Sequence, residues 1–181
     1  MFKLKLSKAK KKPIAGIDIG TNSVKILEST PKGEEISLTK YGAKRLPAEA
    51  NDETVAQTVK MLVSEIGITA KDIHIGLSGP GAVVRFISMP EMTRDDLKEA
   101  LRFEVDKYIP FGVDEVSMDF AILGKVAGQS GQMRVLLAAA KKDLISKRIE
   151  MLGEIGLNVT LIDINAFAVF NSFCYSSDEK P

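Results

Sequence analysis

The sequence predicts an α/β protein, a mixed sheet with helices packed on it, interrupted by a smaller α+β module. Three observations carry this. Ile- and Val-rich runs between Ile14 and Gly79 follow a strand–strand–strand–helix–strand order, which a mixed sheet with packed helices requires. From Ala82 to Lys141 a strand, a helix and two further strands make a set of their own. The chain then returns through helix, strand and helix to its end. The expected division is a basic leader over residues 1–12, a main subdomain over 13–81 and 142–181, and an inserted subdomain over 82–141.

The elements follow in order. "IAGIDIG" and "VKILES" read as two strands joined by a turn, and "ISLTKYGAKRL" as a third, entered through a turn at Pro31, Lys32 and Gly33. Asn51 or Asp52 can cap a helix in which Val55, Val59, Leu62, Val63 and Ile66 recur at helical spacing, and Gly67 stops it. "DIHIGLSG" is a buried strand, and "AVVRFISMP" is a strand ending at Pro90. Thr93 and Asp96 stand at capping-box spacing, with Asp for the usual Glu. They open a helix whose Leu97, Ala100, Leu101, Glu104, Val105 and Tyr108 trace one mostly apolar face, and Pro110 and Gly112 end it. "EVSMDFAILGK" and "MRVLLAAAKK" follow as strands around the hairpin loop "VAGQSGQ". A helix from Asp143 to Ile155 leads to the strand "NVTLIDI", and Asn165 can cap the last helix, "NAFAVFNSFCYSS".

Composition narrows the function. Of 181 residues, 45% are hydrophobic and 27% charged, as in a globular protein. No apolar run is long enough to cross a bilayer, and lysines break up the start where a signal peptide needs an apolar stretch, so a cytoplasmic address is expected. The single Cys174 allows no internal disulfide and, with one histidine, no zinc constellation; it reads as a small residue on the last helix. Six of the 25 basic residues fall within residues 1–12, which hold no acid, leaving 19 basic against 24 acidic residues, net −5, in the rest. A body of that sign argues against nucleic acid, whose phosphates need a basic face. The leader's lysines, with Phe2, Leu4 and Leu6, can touch anionic lipid, but one short signal binds a membrane only marginally, and a solvated leader is the expectation.

Chemistry concentrates in "DIGTNSVK". Asp18 ends a strand that should be buried, where an acid needs a partner, and a magnesium ion held through water is one. Gly20 takes the side chain away where the backbone turns, so that a phosphate can approach. Thr21, Asn22 and Ser23 supply hydroxyl, amide and backbone donors, and Lys25 a point charge if the second strand curls toward the turn. A plain hairpin wants the same small residues, and an acid near a strand end can simply pair with a lysine. There is no Walker "GxxxxGK[ST]" and no "GxGxxG". "SGPGAVVR", with Pro80 before a strand, reads as a turn. His74 alternates with Ile73, Ile75 and Leu77 and reads as a partly exposed sheet residue.

"GIDIGTNSVK" resembles the first phosphate motif of the actin, Hsp70 and sugar-kinase superfamily, and a longer stretch narrows the likeness. In "ISMPEMTRDDLKEALRFEVDKYIPFGVDEVSMDFAIL", Pro90, Met92, Leu97, Ala100, Glu104, Tyr108, Ile109, Pro110 and Phe111 resemble the inserted-subdomain pattern of the PilM family of type IV pilus proteins, relatives of the division protein FtsA. The likeness runs over residues 13–175 and implies an actin-like (ribonuclease H-like) first lobe carrying a small α+β insert. It further implies ATP and Mg2+ at Asp18, Gly20, Thr21, Asn22, Ser23 and Lys25, with Asp18 reaching the metal through water and no catalytic residue.

The implied partner is the N-terminal cytoplasmic peptide of the inner-membrane protein PilN, in a groove between lobe and insert. Phe86, Ile87, Met89, Tyr108, Ile109, Pro110 and Phe111 are the candidates for its wall. Other pilus inner-membrane and motor proteins are implied too, at the inner face of the cytoplasmic membrane. An FtsA-like division protein and the first lobe of a sugar-kinase-type phosphotransferase are the alternatives. For the latter, Asp163 is the one late candidate acid, better explained as anchoring the turn into the last helix. The family's second phosphate motif and adenosine-binding glycines lie further along and have no counterpart here. The expectation is therefore a truncated or half protein with half a site, weak or absent nucleotide binding and no activity alone, against at most a weak ATPase for the full-length protein. Asn22 stands where family members often have a small serine.

Overall fold

The computed structural model describes residues 12–32 and 35–176. The basic leader, apart from Lys12, and Gly33 of the expected turn lie outside the described residues. The chain divides into two compact units, one of described residues 12–76 and 149–176, the other of residues 77–148, where the sequence suggested 82–141 for the insert.

The first unit is built on a five-stranded sheet. Strands β1 (Ile14–Ile19), β2 (Ser23–Lys32) and β3 (Glu35–Arg45) form an antiparallel meander, followed by α1 (Asp52–Ile66) and β4 (Asp72–Leu77). With β8 (Asn158–Ile164) the order across the sheet is β3-β2-β1-β4-β8, and β1 pairs with β4 in parallel. This is the mixed sheet that the element order predicts.

Alternation decides which side is covered. Ala15, Ile17, Val24, Ile26, Ile73 and Ile75 are all buried, and α1 packs against β2 and β3 with Val55, Val59 and Leu62 inward. Burying such aliphatic side chains is worth roughly 1.5–3 kcal/mol apiece. Asn51, not Asp52, is the cap of α1, its Oδ1 accepting from the Thr54 N–H at 2.9 Å. Gly67 closes the helix in the left-handed conformation (φ 66°), which favours glycine.

β2 runs further than the sequence suggests. Pro31 and Lys32 pair with Ile36 and Glu35, where a turn was expected to begin. β1 ends its pairing at Ser29, so beyond it β2 has no second neighbour in the register, and a proline without an N–H costs little there.

The second unit holds β5 (Ala82–Pro90), α2 (Arg94–Glu104), β6 (Val116–Lys125) and β7 (Gln132–Lys141), with strand order β5-β7-β6, all antiparallel. Ile87, Met89, Leu97, Leu101, Val105, Ile109, Val116 and the inward residues of β7 form its core. Thr93 caps α2: its hydroxyl oxygen accepts from the Asp96 N–H at 3.2 Å and its proton goes to the Asp96 carboxylate at 2.7 Å. The helix ends sooner than its apolar pattern suggests. Residues 105–107 tighten into a 3-10 turn, with the Tyr108 N–H bonded to the Val105 carbonyl, as Pro110 pushes the residue before it away from helical geometry. Helix α3 (Lys142–Glu154) follows β7, and α4 (Asn165–Ser176) follows β8. Among the described residues, no helix is long and apolar enough to cross a membrane.

Candidate functional site: the first hairpin and the open face of its sheet

Register creates the site. Asp18 and Lys25 are direct cross-strand partners in the β1–β2 hairpin, and opposite charges at such positions attract. Lys25 Nζ donates to Asp18 Oδ2 at 2.8 Å, with the lysine side chain 59% exposed and the aspartate 35%. The second carboxylate oxygen, Oδ1, accepts from Asn165 Nδ2 at 2.9 Å. The partner that a strand-end acid needs is thus supplied by the protein itself. The ion pair that a plain hairpin allows is formed, and the lysine is already beside the turn.

At the tip, the Gly20 N–H donates to the Ser23 carbonyl at 3.0 Å, so this amide is engaged within the turn. Thr21 and Asn22 are exposed, and among the described residues no hydrogen bond engages their N–H groups. The Asn22 carbonyl accepts from the Leu46 N–H at 2.9 Å, pinning the tip to the end of β3. A Cβ on Gly20 would meet the Ser23 carbonyl only at 3.4 Å, and Gly20 is not among the glycines with positive φ. The turn itself therefore does not demand glycine. The open space at Gly20 remains available for something approaching from outside.

The sheet face that α1 leaves open continues the site. Asp18 and Lys25 stand at the rim of a cleft of about 670 Å³, within the size range of small-molecule sites. Leu27, Tyr41 and Leu161 line it, with Ala168 of α4 to one side. His74 lines it too, half-buried as the alternation predicts. Burial holds its pKa below the usual 6.5 against the opposing pull of Asp72, so it is neutral at pH 7. Asp163 sits on the same face, its carboxylate accepting the N–H of the next residue, Ile164, at 2.7 Å within β8. Among the described residues no group of three or more His, Cys, Asp or Glu side chains is placed to hold a metal ion. Both oxygens of Asp18 are engaged, Oδ2 by Lys25 and Oδ1 by Asn165, so a cation would meet Oδ2 only after the lysine leaves it.

The residues suggested for a partner groove separate by burial. Phe86 is 61% exposed, with the Arg134 guanidinium 4.7 Å from its ring centre. Pro110 is exposed. Phe111 and Tyr108 are half-buried against the core of the second unit, Phe111 with the Lys141 ammonium 4.9 Å from its ring centre. The Tyr108 hydroxyl lies 3.3 Å from the Met89 sulfur and 3.4 Å from the Glu104 carboxylate, and burial together with Glu104 raises its pKa. Ile87, Met89 and Ile109 are buried core residues. Strand parity explains the split, since Phe86 and Ile87 face opposite sides of β5.

One residue of weight, Glu28, was not singled out in the sequence, and another, Asn165, has a role other than the one expected. Glu28 is 2% exposed. It accepts from the Thr69 N–H at 2.6 Å, the Ala70 N–H at 2.8 Å and the Thr69 hydroxyl at 3.1 Å, with Lys40 Nζ 3.3 Å away. Burial alone would raise its pKa, but the backbone donors of Ala70 and Thr69, then the Thr69 hydroxyl and Lys40, outweigh it and bring the group to about 2. Asn165, expected as a helix cap, is instead the first residue within α4, with its amide committed to Asp18.

A mixed sheet with an acid-bearing hairpin at one edge of an open cleft, carrying a separate small α+β unit in its chain, defines a first lobe of the actin-like class. The sequence matches the family described as type IV pilus assembly protein PilM over residues 16–179, and the chain belongs to that family. It is similar to the solved PilM-PilN type IV pilus biogenesis complex, at 27% identity and a TM-score of 0.75, over 88% of this chain and 49% of that one. The cytoplasmic domain of EpsL, an inner-membrane component of the type II secretion system of Vibrio cholerae, shares the fold at 12% identity and a TM-score of 0.57, over 87% of this chain and 59% of that one. This chain thus spans about half the length of the PilM structure it matches.

Proposed function

We propose that this chain is the first lobe of a cytoplasmic actin-like scaffold for type IV pilus assembly, recruited to the inner face of the cytoplasmic membrane through a PilN-like N-terminal peptide and, with it, other pilus inner-membrane and motor proteins. The observation that carries the reading is the likeness to the PilM-PilN structure across 88% of the chain. Phe86 and Pro110 are the outward residues proposed to meet the peptide, with Tyr108 and Phe111 behind them. Ile87, Met89 and Ile109 serve as the packed floor that holds these side chains in place. The test is a titration of the chain with a synthetic peptide matching the cytoplasmic N-terminus of the partner, followed by NMR. Binding of micromolar order is expected, weakened about tenfold by Phe86→Ala with the melting temperature unchanged. No movement of the Phe86 and Pro110 signals would refute it.

The same reading gives the hairpin to ATP with Mg2+. Asp18 would hold the magnesium through water, and the metal would supply charge neutralisation between phosphates. Lys25 would turn from Asp18 to a phosphate oxygen, and Thr21, Asn22 and Ser23 would donate to the others at the space Gly20 leaves. With half of the matched length present, the affinity expected of this chain alone is weak.

A further inference from the structure

The side chain of Asn165 is held at both ends. A carboxylate only accepts, so the NH2 end must be the one that faces Asp18, and Nδ2 donates to Oδ1 at 2.9 Å. The other end, Oδ1, lies over Gly76, the residue of β4 in register with Asp18 of β1. A Cβ on Gly76 would fall 1.8 Å from Asn165 Oδ1 and 3.0 Å from its Cγ, an impossible approach. The missing side chain of Gly76 is therefore the seat of the Asn165 amide.

Asp18 has two donors of unlike character. Lys25 is a long, solvated ammonium, 59% exposed, that can change partners at small cost. Asn165 is short, neutral, anchored in the first turn of α4 and fitted to a glycine. When a cation or phosphate arrives, Lys25 is the donor that can leave and Asn165 the one that stays. An amide at this position also avoids the like-charge repulsion that a third carboxylate beside Asp18 and Asp163 would bring.

We propose that Asn165, seated on Gly76, is a positioning residue for the hairpin's anion and metal chemistry: it fixes Asp18 Oδ1, so that Oδ2 alone is presented to the hydrated cation of a magnesium–phosphate ligand as Lys25 moves to the phosphate. This rests on the nucleotide reading above, and the two are separable by experiment.

The experiment is NMR on the 181-residue chain as wild type, Asn165→Ala, Gly76→Ala and the double variant, first without ligand and then titrated with Mg-ATP. Without ligand, both single variants should move the Asp18 carboxyl carbon and the Lys25 ammonium signals. An unmoved Asp18 signal in Asn165→Ala overturns the proposal. With Mg-ATP, each single variant should bind about tenfold more weakly, the loss of one charge-assisted hydrogen bond. Undiminished affinity in Asn165→Ala also overturns it.

The double variant guards against Gly76→Ala merely damaging the fold. Once the amide is gone the new methyl has room, so the double should bind and melt no worse than Asn165→Ala, whereas additive losses would refute the seat. A wild-type chain that does not respond to Mg-ATP at millimolar concentration refutes nucleotide binding by this chain and, with it, the ligand role of Asn165 in it. The ligand-free signals then decide separately whether Asn165 holds Asp18.

Discussion

The two units solve the same packing problem differently. Each covers one face of an antiparallel or mixed sheet with a helix. In the second unit the buried cluster is apolar throughout, from Ile87 and Met89 on β5 through Val135 and Leu137 on β7 to Leu97 and Leu101 on α2. In the first unit the inward row of β2 reads Val24, Ile26, Glu28 and so ends on a carboxylate. Glu28 reaches the connection between α1 and β4, engaging Thr69 and Ala70, which lie 41 and 42 residues further on. One unit is held by shape and the other partly by a buried charge, so they should fail under different insults.

Core truncation gives the largest expected difference. Leu101→Ala removes a fully buried side chain and should destabilise the second unit by about 2–5 kcal/mol. Hydrogen exchange should report faster opening for β5, β6 and β7 with little change in β1 and β2. Equal loss of protection in both units would show that they unfold as one body and remove the contrast.

Glu28 is the matching test in the first unit. Glu28→Gln can keep an oxygen toward the Thr69 and Ala70 donors, but it turns an NH2 group toward the Lys40 ammonium and the Thr39 hydroxyl and removes the charge, and should cost about 3 kcal/mol, read as early exchange at Thr69, Ala70 and β4. Acid does the same without mutation. The folded pKa is about 2 against 4.5 for the free group, so the stabilisation is complete above pH 4.5 and is lost as pH falls toward 2, about 3 kcal/mol in all. His74 adds an effect of the same direction from a higher pH. Its lowered pKa favours the neutral ring in the fold, so stability begins to fall below about pH 6.5. Acid unfolding should therefore start in the first unit and be blunted in Glu28→Gln. A second unit that opens first in acid would refute the distinction.

The contrast also explains what was legible in the sequence. Elements held by local period were readable: Leu97, Leu101 and Val105 at helical spacing are buried, as are Ile73 and Ile75 alternating around His74. Glu28 carried a readable signal in its inward parity after Val24 and Ile26, but its partners lie 41 and 42 residues on and no local pattern points to them. Asn165 is 147 residues from Asp18, and only the sheet order that puts β4 beside β1 and β8 beside β4 brings them together. The Asp18–Lys25 pair, seven residues apart, needed only the hairpin register to form, and the sequence allowed it as the plain alternative to a phosphate site. The mixture of exposed and buried residues around Phe86 was not resolved, as a run such as "FISMP" does not declare which parity faces the core.

A capping change is the next smaller test. Thr93→Ala removes the acceptor for the Asp96 N–H and should cost the second unit about 1 kcal/mol. Since α2 covers that unit's core, protection should fall across all three of its strands and not only at the helix start. A loss confined to the first turn of α2 would mean that the helix frays without loosening the sheet.

The smallest expected effect on stability falls at the residue with the largest expected role in binding. Lys25 and Asp18 form an ion pair with the lysine 59% and the carboxylate 35% exposed, where solvent and salt screen the attraction and the net worth is about 0–1 kcal/mol. Lys25→Ala should leave the melting temperature nearly unchanged, and raising salt should change the wild type as little. If the pair mattered chiefly to folding, the variant would melt early and salt would mimic it. If Lys25 is instead held in reserve for a phosphate, the variant keeps its stability and loses its response to Mg-ATP, separating this exposed pair from the buried Glu28 on the same strand.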